Sequence, residues 1–427
     1  MNVQSKEIKI AVVGLGYVGL PLMSEFSKSF DTTGFDISEA RIRSLQSGID
    51  QTNEVSKKSL LKINKKFTFK AKDIADCNVY VVTVPTPIKR NKSPNLMPLN
   101  KACKLIGPLL CKDDLVVFES TVYPGLTEEY CVPLLEQYSK LTYKEDFLVG
   151  YSPERINPGD KKHNLSSIVK IVSGCNKKSL NKVNHIYSKI IKAGTYKASS
   201  IKVAEAAKVI ENTQRDINIA LINELSQIFN LLEIDTNEVL NAAKTKWNFH
   251  DFRPGLVGGH CIGVDPYYLT YKASAMGFHP KMILSGRQTN EFMPKYVVKE
   301  SISLLRRKKI NPKNATALVM GLTFKENCPD IRNSKSFDVI DILSGQLKKV
   351  DAFDPLVDSH QLKPYLNKRT KLLKQLPTGK YDLIFLISPH KSLIKLGPEF
   401  FIGLQKRDSV FFDVKSALGN SIESLSL

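Results

Sequence analysis

The stretch IKIAVVGLGYVGLPLMSEF, residues 8 to 26, decides the fold of the N-terminal part of the chain. It begins with Ile8 to Val13, a nearly continuous apolar run of the length that a buried parallel strand needs. Gly14, Gly16 and Gly19 follow at GxGxxG spacing and lead into a helical pattern. This order predicts a strand, a tight glycine turn and a helix whose first N–H groups point into the turn.

The same turn predicts a binding site for a dinucleotide. The glycines let the backbone approach a pyrophosphate, and Tyr17 and Val18 stand among them at the start of the helix. Asp36 follows about twenty residues after the middle glycine, where a carboxylate accepts a hydrogen bond from a ribose hydroxyl. Because an acid there repels a ribose 2′-phosphate, the sequence favours NAD over NADP. Arg41, on the next helix, either lies against the adenine or faces solvent.

Length and composition set the class of protein. A chain of 427 residues is expected to form two or three domains. There is no apolar run long enough to span a membrane and no cleavable-signal layout at the N-terminus, which predicts a cytoplasmic protein. The seven cysteines lack CxxC spacing, which argues against a disulfide framework and a structural zinc site. The net charge of +20 comes from lysines spread along the whole chain, a pattern more typical of a solvated surface than of a nucleic-acid interface.

Polar residues follow the next apolar strands of this domain. CNVYVVTVPTP ends in Pro85 and Thr86, and DLVVFEST ends in Glu119 and Thr121. Since ligands lie outside the carboxyl ends of parallel strands, these residues are expected beside the cofactor, although the same residue types also terminate strands and cap helices. Glu154, after the strand FLVGY, is expected to face the same crevice and is a candidate acid or base.

From residue 201 to residue 235 the pattern is that of one long amphipathic helix. Its apolar residues, which fall near a 3.6-residue repeat, include Val203, Ile210, Ile217, Leu221 and Ile228. Such a helix is a natural dimer seam. Lys208 and Asn212 lie one turn apart on another face, which by pattern alone is typical of a solvated polar surface.

Strands alternate with helices again beyond Lys309, which implies a second doubly wound sheet. Lys325 and Arg332 stand on either side of an Asn-Cys-Pro-Asp turn and suit a phosphate. The predicted fold is therefore α/β, with two Rossmann-like doubly wound parallel-sheet domains joined by a long central helix and a helical dimerisation region. The predicted bounds are 1–198 for the NAD-binding domain, 199–302 for the central helical domain and 303–427 for the C-terminal domain.

The loop FRPGLVGGHCIGVDPYYL, residues 252 to 269, sets one thiol among four glycines. Because glycine at this density costs conformational entropy, the loop is expected to be shaped for a ligand, with Cys261 as a nucleophile. His260 or Lys208 is a candidate for the positive charge that stabilises its thiolate. A metal site of Cys261, His260 and Asp265 is the alternative, but two adjacent ligands and one carboxylate make a poor tetrahedral set. A cysteine beside NAD predicts oxidation of an alcohol to an aldehyde, capture as a thiohemiacetal, a second oxidation to a thioester, and hydrolysis.

These motifs together resemble a known family. GLGYVGLPL, VPTP, ESTVYPG, SPER, the helix face of Lys208 and Asn212, PGLVGGHCIGVDPYYL and GLTFKENCPDIRNS, in this order over nearly the whole chain, are similar to the UDP-glucose/GDP-mannose dehydrogenase family. The nearest branch is that of the bacterial UDP-N-acetylglucosamine or UDP-N-acetylgalactosamine 6-dehydrogenases of surface-polysaccharide biosynthesis.

The resemblance implies a role for each site residue. Cys261 is the nucleophile, Lys208 and Asn212 stabilise the oxyanion, and Asp265 orients Lys208 or water. Glu154 is the general acid or base, and Thr121 lies between cofactor and substrate. The residues it assigns to the substrate side also include Arg155, Arg253, Gly255, Gly258 and Lys325. It assigns Arg332 to the cofactor side, where Pro85, Thr86 and Arg41 are already candidates from their positions in the predicted sheet.

One departure from the family pattern bears on the substrate. Glucose-specific members often carry a second acid four residues beyond Glu154, where this chain has Pro158, so roles of that acid do not transfer. Pro158, together with Arg155, His260 and Val264, resembles the N-acetylhexosamine branch, in which Arg155 or Arg253 is a candidate donor to the acetamido carbonyl.

The expected function is NAD-dependent, four-electron oxidation of the C6 hydroxyl of a UDP-N-acetylhexosamine, for surface-polysaccharide synthesis. A UDP-glucose or UDP-ManNAc 6-dehydrogenase is the alternative within the family. A two-electron NAD dehydrogenase would not need Cys261, and a nucleic-acid-binding protein would not need the glycine-rich cysteine loop. The expected partners are a UDP-sugar and a second copy in a homodimer or larger homo-oligomer, with no metal, nucleic acid or membrane.

Overall fold

The computed structural model describes residues 7–63, 66–156 and 165–427. The chain divides into two compact units, which we call the first and the second unit. The first unit contains residues 1–211 and 267–278, and the second contains residues 212–266 and 279–427.

An eight-stranded sheet forms the centre of the first unit, within the described residues. Its strands are β1 (Lys9–Val13), β2 (Asp31–Phe35), β3 (Phe67–Thr68), β4 (Val79–Val82), β5 (Leu115–Phe118), β6 (Leu148–Tyr151), β7 (Lys170–Gly174) and β8 (Thr195–Lys197). The order across the sheet is β3-β2-β1-β4-β5-β6-β7-β8. All neighbours are parallel except β6 and β7, which are antiparallel with Gly150 opposite Gly174. The N-terminal half of the predicted fold is thus confirmed.

Helices cover both faces of this sheet, so its strands are apolar on both faces. They are α1 (Gly19–Phe26), α2 (Glu39–Gln46), α3 (Lys57–Ile63), α4 (Met97–Ile106), α5 (Val132–Ser139) and α6 (Lys177–Ser188). Alternate residues of β1 enter two separate apolar clusters, Ala11 and Val13 on one face and Ile10 and Val12 on the other. Burial on both faces explains why these strands are nearly continuous apolar runs in the sequence.

The long predicted helix is α7 (Ile201–Leu231), and the division between the two units falls within it. Three further helices follow, α8 (Thr236–Ala243), α9 (Asp265–Ala275) and α10 (Lys281–Arg307). Helix α10 continues through Pro294, which is buried in its interior. Among the described residues, no helix is long and apolar enough to cross a membrane.

The polar face of α7 differs from the expectation that its pattern alone gave. The apolar side chains of Val203, Ile210, Leu221 and Ile228 are exposed, whereas Lys208 and Asn212 are buried. The expectation that Lys208 and Asn212 lie on a solvated surface, which rested on pattern alone, is therefore wrong. The periodicity correctly identified a helix but not which of its faces the chain buries.

The second unit contains a five-stranded parallel sheet within its described residues. Its strands are β9 (Thr316–Met320), β10 (Lys349–Phe353), β11 (Thr370–Leu372), β12 (Tyr381–Leu386) and β13 (Gln405–Asp413), in the order β11-β10-β9-β12-β13. The helices that accompany them are α11 (Lys335–Ser344), α12 (Ser359–Leu362), α13 (Lys391–Ile394) and α14 (Gly397–Gly403). The order reverses beside β9 as it does beside β1, so the second doubly wound sheet is confirmed.

Candidate active site

The glycine turn after β1 has the geometry that a pyrophosphate requires. Gly14 has a φ of +100°, and a Cβ there would lie 3.2 Å from the backbone of Thr83. A Cβ on Gly19 would stand 1.9 Å from the carbonyl oxygen of Gly14, so the start of α1 packs directly on the turn. A Cβ on Gly16 would meet nothing within 4 Å, which leaves the middle of the turn open to a ligand. These three environments fit a dinucleotide phosphate at the start of α1.

Asp36, directly after β2, is anchored to this turn. Its Oδ2 accepts a hydrogen bond from the N–H of Leu15 at 2.9 Å, and its Oδ1 accepts one from the N–H of Ser38 at 2.9 Å. The residue stays partly exposed, so its carboxylate oxygens keep acceptor capacity for a ribose. Asp36 therefore stabilises the glycine turn in addition to its predicted role toward NAD.

Arg41 does not face solvent, so that alternative is wrong. Its side chain is 11% exposed and pairs with Asp50 at 2.9 Å. Its Nε and Nη2 also donate to the carbonyl oxygen of Leu15, at 3.1 and 2.9 Å. The guanidinium thus holds the glycine turn from the side of α2.

The residues after β4 and β5 are adjacent, as the parallel arrangement predicts. Thr86 Oγ1 donates to the carbonyl oxygen of Thr121 at 2.7 Å, and Ser120 Oγ donates to that of Val84 at 2.6 Å. Tyr268, from α9, donates its hydroxyl to the carbonyl oxygen of Thr86 at 3.0 Å. Pro85 is exposed beside them. The VPTP and ESTV segments therefore form one hydrogen-bonded edge of the first sheet.

Glu119 was expected to lie beside the cofactor, and the structure corrects this expectation. Its side chain is fully buried, and its Oε2 pairs with Lys170 Nζ at 2.7 Å. Tyr187 donates its hydroxyl to Glu119 Oε1. Burial raises the pKa of Glu119 to about 7, against the opposing effect of Lys170. Burial also acts to lower the pKa of Lys170, but the neighbouring carboxylates Glu119 and Glu154 raise it above its ordinary value.

Glu154 lies beside the same lysine. Its Oε2 is 3.5 Å from Lys170 Nζ. Its Oε1 accepts hydrogen bonds from the N–H groups of Arg155 and Ile156, at 2.6 and 2.5 Å. The guanidinium of Arg155 turns away from it, to Glu211 at 2.8 Å and to the carbonyl oxygen of Val169 at 3.0 Å. Pro158, which distinguishes this chain from glucose-specific relatives, lies outside the described residues.

The cysteine loop is bound to the segment before α11. Asn333 Nδ2 donates to the carbonyl oxygen of Gly259 at 2.7 Å, and the N–H of Gly259 donates to the carbonyl oxygen of Asn333 at 3.1 Å. Gly259 has a φ of +81°, and a Cβ there would stand 2.7 Å from the ring of Phe324. A Cβ on Gly258 would stand 2.8 Å from the carbonyl oxygen of Asn333. Gly258 and Gly259 are therefore needed for close packing.

Cys261 is half-buried in the turn that leads into α9. Its carbonyl oxygen accepts hydrogen bonds from the N–H groups of Val264 and Asp265, at 3.0 and 2.9 Å. The thiol thus stands just ahead of a helix N-terminus, where the helix dipole favours a thiolate.

His260 does not supply the positive charge that was expected of it. Burial, together with the nearby guanidinium of Arg332, lowers the pKa of His260 to about 4. Arg332 Nη2 lies 3.1 Å from His260 Nε2 and 2.6 Å from Asp330 Oδ2. The imidazole is therefore neutral at neutral pH, and the interpretation of His260 as the cation beside Cys261 is wrong.

Asn212 and Asp265 form a direct pair in the second unit. Asn212 Nδ2 donates to Asp265 Oδ2 at 2.6 Å, and both residues are buried. Arg215 donates to Asn212 Oδ1 at 3.2 Å, which fixes the orientation of the amide. Lys208 precedes Asn212 by one turn of α7 and is 8% exposed. Asp265 thus orients Asn212, a contact that the resemblance did not specify.

The first part of the cysteine loop is tied to the helices of the second unit. Gly255 donates its N–H to Asn223 Oδ1 at 2.8 Å and accepts from Asn223 Nδ2 at 3.0 Å. Arg253 pairs with Asp251 at 2.6 Å and donates to Asn241 at 2.9 Å. Both guanidinium groups that were candidates for the acetamido carbonyl, Arg155 and Arg253, therefore already bind acidic side chains.

Lys325 is half-buried in the turn after β9. Thr323 Oγ1 donates to the carbonyl oxygen of Lys325 at 2.8 Å. Two residues further on, the N–H of Asn327 donates to His390 Nδ1 at 2.9 Å, and His390 Nε2 lies 3.1 Å from Asp354. These contacts of the His390 imidazole fix the turn that presents Lys325.

Sequence reasoning missed Asn333 and Lys170. Each acts on a residue far away in the chain. Asn333 lies in the quoted motif GLTFKENCPDIRNS but was given no role, and Lys170 lies in none of the quoted motifs. Among the described residues, no group of three or more His, Cys, Asp or Glu side chains is placed to hold a metal ion.

Comparison with known proteins identifies the family. Residues 8–191 match the NAD binding domain of the UDP-glucose/GDP-mannose dehydrogenase family, residues 202–292 its central domain, and residues 318–420 its UDP binding domain. The chain is 52% identical over 424 residues to the UDP-N-acetyl-D-glucosamine 6-dehydrogenase of Pseudomonas aeruginosa, covering 99% of this chain and 100% of that protein. It is 51% identical over 413 residues to the enzyme of the same name from Salmonella typhi, covering 96% of this chain and 97% of that protein.

A solved structure supports the same assignment. The UDP-D-ManNAc dehydrogenase of Pyrococcus horikoshii superposes with a TM-score of 0.87 at 29% identity, covering 98% of this chain and 99% of that chain. The chain therefore belongs to the UDP-glucose/GDP-mannose dehydrogenase family and is an NAD-dependent nucleotide-sugar dehydrogenase.

Proposed function

We propose that this enzyme oxidises the C6 hydroxyl of a UDP-N-acetylhexosamine to the carboxylate, in two successive two-electron steps. The observation that carries the proposal is the cysteine loop, in which Asn333 holds Gly259 and Cys261 stands ahead of α9. A single two-electron oxidation would not need a thiol. The choice of sugar rests on the two relatives at about half identity, both named UDP-N-acetyl-D-glucosamine 6-dehydrogenase.

Cys261 acts between the two oxidations. NAD, when bound at the glycine turn, accepts one hydride in each of them. After the first oxidation, the Cys261 thiolate adds to the aldehyde carbon and forms a thiohemiacetal oxyanion. Loss of a hydride from that carbon gives a thioester, and water then releases the carboxylate and returns the thiolate. The thiol is needed because a hydride leaves readily from a tetrahedral adduct.

Lys208 and Asn212 stabilise the oxyanion of the thiohemiacetal. Their burial supports this role, because a cation and an amide donor act more strongly where water is excluded. The loss of one oxyanion donor costs about 3 kcal/mol of transition-state stabilisation in comparable sites. Asp265 keeps the amide of Asn212 in one orientation. Glu154 serves as the general base for the hydrolytic water, and Thr121 lies between cofactor and sugar.

Each predicted domain has one task in this proposal. Residues 1–198 bind NAD through the glycine turn and Asp36, with Pro85, Thr86, Arg41 and Arg332 on the cofactor side. Residues 199–302 carry the cysteine loop, including Arg253, Gly255 and Gly258, and residues 303–427 bind the UDP group with Lys325. The match of residues 318–420 to a UDP binding domain supports the last assignment.

The enzyme is further proposed to be a cytoplasmic homodimer or larger homo-oligomer that makes a precursor of surface polysaccharide. The exposed apolar side chains of α7, Val203, Ile210, Leu221 and Ile228, support a helical contact between copies. No nucleic acid or membrane is needed as a partner, since the lysines are dispersed along the chain.

An assay of NADH release over a panel of UDP-sugars tests the proposal. The panel contains UDP-GlcNAc, UDP-GalNAc, UDP-ManNAc and UDP-glucose, with NADH counted against sugar consumed. We expect two NADH per sugar, and a kcat/KM for UDP-GlcNAc or UDP-GalNAc at least about tenfold above that for UDP-glucose, equivalent to roughly 1.4 kcal/mol. One NADH per sugar would make the enzyme a two-electron dehydrogenase. Equal or faster use of UDP-glucose would reject the N-acetylhexosamine branch and leave the four-electron mechanism in place.

A further inference from the structure

Glu154 belongs to a buried charge cluster in the first unit whose other members have no assigned role. It consists of Glu119 after β5, Glu154 after β6, Lys170 at the start of β7 and Tyr187 in α6. Because β7 runs antiparallel to β6, its first residue lies at the same edge of the sheet as the carboxyl ends of β5 and β6. The topology therefore brings Lys170 to the edge where parallel strands present their functional residues.

The side chains meet on one face of the sheet. Leu115 and Val117 of β5 and Val172 of β7 belong to the apolar cluster that contains Tyr187. Since side chains alternate along a strand, Glu119 and Lys170 are expected on this same face. Their 2.7 Å ion pair agrees with that register, and the Lys170 ammonium also lies 5.5 Å from the centre of the Tyr187 ring.

Glu119 is held by two donors and in turn holds Lys170. Tyr187 donates to one Glu119 oxygen and Lys170 to the other, so the Glu119 carboxylate has a donor on both sides. The remaining neighbour of the ammonium is Glu154, whose Oε2 lies 3.5 Å away. The cluster therefore presents a fixed cation to Glu154.

Glu154 needs such a cation. Its Oε1 is bound by two backbone N–H groups, whereas its Oε2 is buried with no hydrogen-bond partner among the described residues. A charged oxygen without water or a donor is costly unless an opposite charge lies nearby. Lys170 is that charge, while Arg155, the adjacent cation, is bound to Glu211 instead.

We propose that Lys170 is a positioning residue for Glu154, held by Glu119 and Tyr187, and that it keeps the Glu154 carboxylate oriented to deprotonate the hydrolytic water. In that step Glu154 takes one proton from water, the hydroxide oxygen bonds to the thioester carbon, and the C–S bond breaks with its electron pair left on Cys261. This inference rests on the proposed role of Glu154 in thioester hydrolysis.

The first test separates oxidation from hydrolysis. In Lys170→Met, stopped-flow measurement of the first turnover is expected to give a rapid burst of two NADH per active subunit. A steady-state rate at least about tenfold below that of the parent enzyme should follow, because hydrolysis is slowed. Intact-protein mass spectrometry of the acid-quenched enzyme should find the acyl group on Cys261. Lys170→Arg, which keeps the cation, should restore most of the steady-state rate.

The second test is the pH profile of kcat. Several charged or titratable groups face Glu154. They are Lys170 from β7, Glu119 from the end of β5, Tyr187 from α6, and the ion pair of Arg155 with Glu211 of α7. Lys170→Met leaves the two carboxylates without their cation, so the acidic limb should move to higher pH. Glu119→Gln removes one negative charge and leaves the lysine with Glu154, so the limb should move to lower pH. Shifts of opposite sign are not expected from a role in folding alone.

Lys178→Met is the matched control, since it breaks an exposed lysine–carboxylate pair, with Asp113, in the same unit. It should change neither the burst nor the pH profile. If Lys170→Met does not fold, Glu119→Gln and the double variant Lys170→Met, Glu119→Gln still test the sign of the shift of the acidic limb. The proposal is overturned if these variants change only the melting temperature, or if Lys170→Met slows the burst itself. Failure of the parent enzyme to release two NADH per sugar would instead reject the proposed function.

Discussion

Asn333 binds both polar groups of Gly259, donating its side-chain amide to the glycine carbonyl and accepting the glycine N–H at its own carbonyl. Asn333 has a φ of 52°, in the left-handed region that asparagine tolerates better than most residues. The nucleophile therefore takes its position from a residue that lies far from it in the chain.

Substitution of Asn333 should lower kcat through the position of Cys261. Asn333→Gly keeps the backbone conformation and removes the amide, whereas Asn333→Ala removes the amide and strains the backbone. We expect both to lose about tenfold in kcat, and Asn333→Ala alone to lose a further 1 kcal/mol or so of unfolding free energy. Steady-state kinetics and urea unfolding measure the two effects. Parent-like kcat in both variants would show that the loop is positioned without this contact.

Replacement of the nucleophile should stop turnover without abolishing binding. Cys261→Ser is expected to reduce kcat at least about a thousandfold, because serine cannot replace the thiolate at neutral pH. NAD and UDP-sugar should still bind in isothermal titration with nearly parent affinity. Cys111→Ser is the control, since Cys111 is exposed and far from the glycine-rich loop in sequence. A Cys261→Ser enzyme with normal rates would exclude covalent catalysis.

Substitutions in the Asn212–Asp265 pair should separate its effect on kcat from its effect on stability. Asp265→Asn removes the anionic acceptor of the Asn212 amide and is expected to lower kcat about a hundredfold with little change in KM. The double variant Asn212→Asp, Asp265→Asn can restore a hydrogen bond but places a carboxylate where the oxyanion forms. It should therefore recover stability and not kcat. Recovery of kcat would mean that the hydrogen bond matters and the oxyanion contact does not.

Loss of the Asp36 carboxylate should change the choice of cofactor. Asp36→Ala removes the ribose acceptor, the repulsive charge and the contact to Leu15, so NAD affinity should fall about tenfold and the preference over NADP should narrow. Asp36→Asn is the control because it removes the charge but keeps an acceptor for the Leu15 N–H. Titration with NAD and with NADP measures both affinities. An unchanged NAD affinity in Asp36→Ala would place this residue away from the ribose.

His260 should make the protein less stable in acid. Its pKa is lowered from 6.5 to about 4 in the folded state, so between these values the unfolded chain binds more protons. The unfolding free energy should therefore fall as pH falls from about 6.5 to about 4. This contribution is absent in His260→Gln. The unfolding free energy of the parent minus that of the variant should therefore decrease as pH falls from about 6.5 to about 4. Urea unfolding at pH 7 and pH 4.5 tests this, and a constant difference would reject it.

The sequence predicted the main architecture because the strong signals are local. A buried parallel strand is an uninterrupted apolar run, as in β1 and β12, and a glycine turn directly after it allows few structures. The short edge strands β3, β8 and β11 were not predicted, since two or three residues carry no usable period. The adjacency of the segments after β4 and β5 was predicted because parallel order alone determines it.

The environment of each site residue was harder to predict. Glu119 was expected beside the cofactor, but its partner Lys170 stands 51 residues later in the chain, on a strand that runs the other way. Lys208 and Asn212 looked solvated by pattern alone, because two polar residues one turn apart are typical of an exposed helix face, yet both are buried. A periodic pattern shows that two faces of a helix differ. It does not show which face the chain itself covers and which it leaves for another surface.

The antiparallel pairing of β7 with β6 also constrains how the first sheet assembles. A slip of one residue in the pairing of β6 with β7 would turn Lys170 to the opposite face, where Ile171 now packs in an apolar cluster. There the ammonium would lose both carboxylates and be buried without a partner, which is among the most unfavourable arrangements in a protein interior. The charge cluster therefore discriminates against the misregistered sheet during folding, so the residues proposed to serve hydrolysis also help select the correct topology.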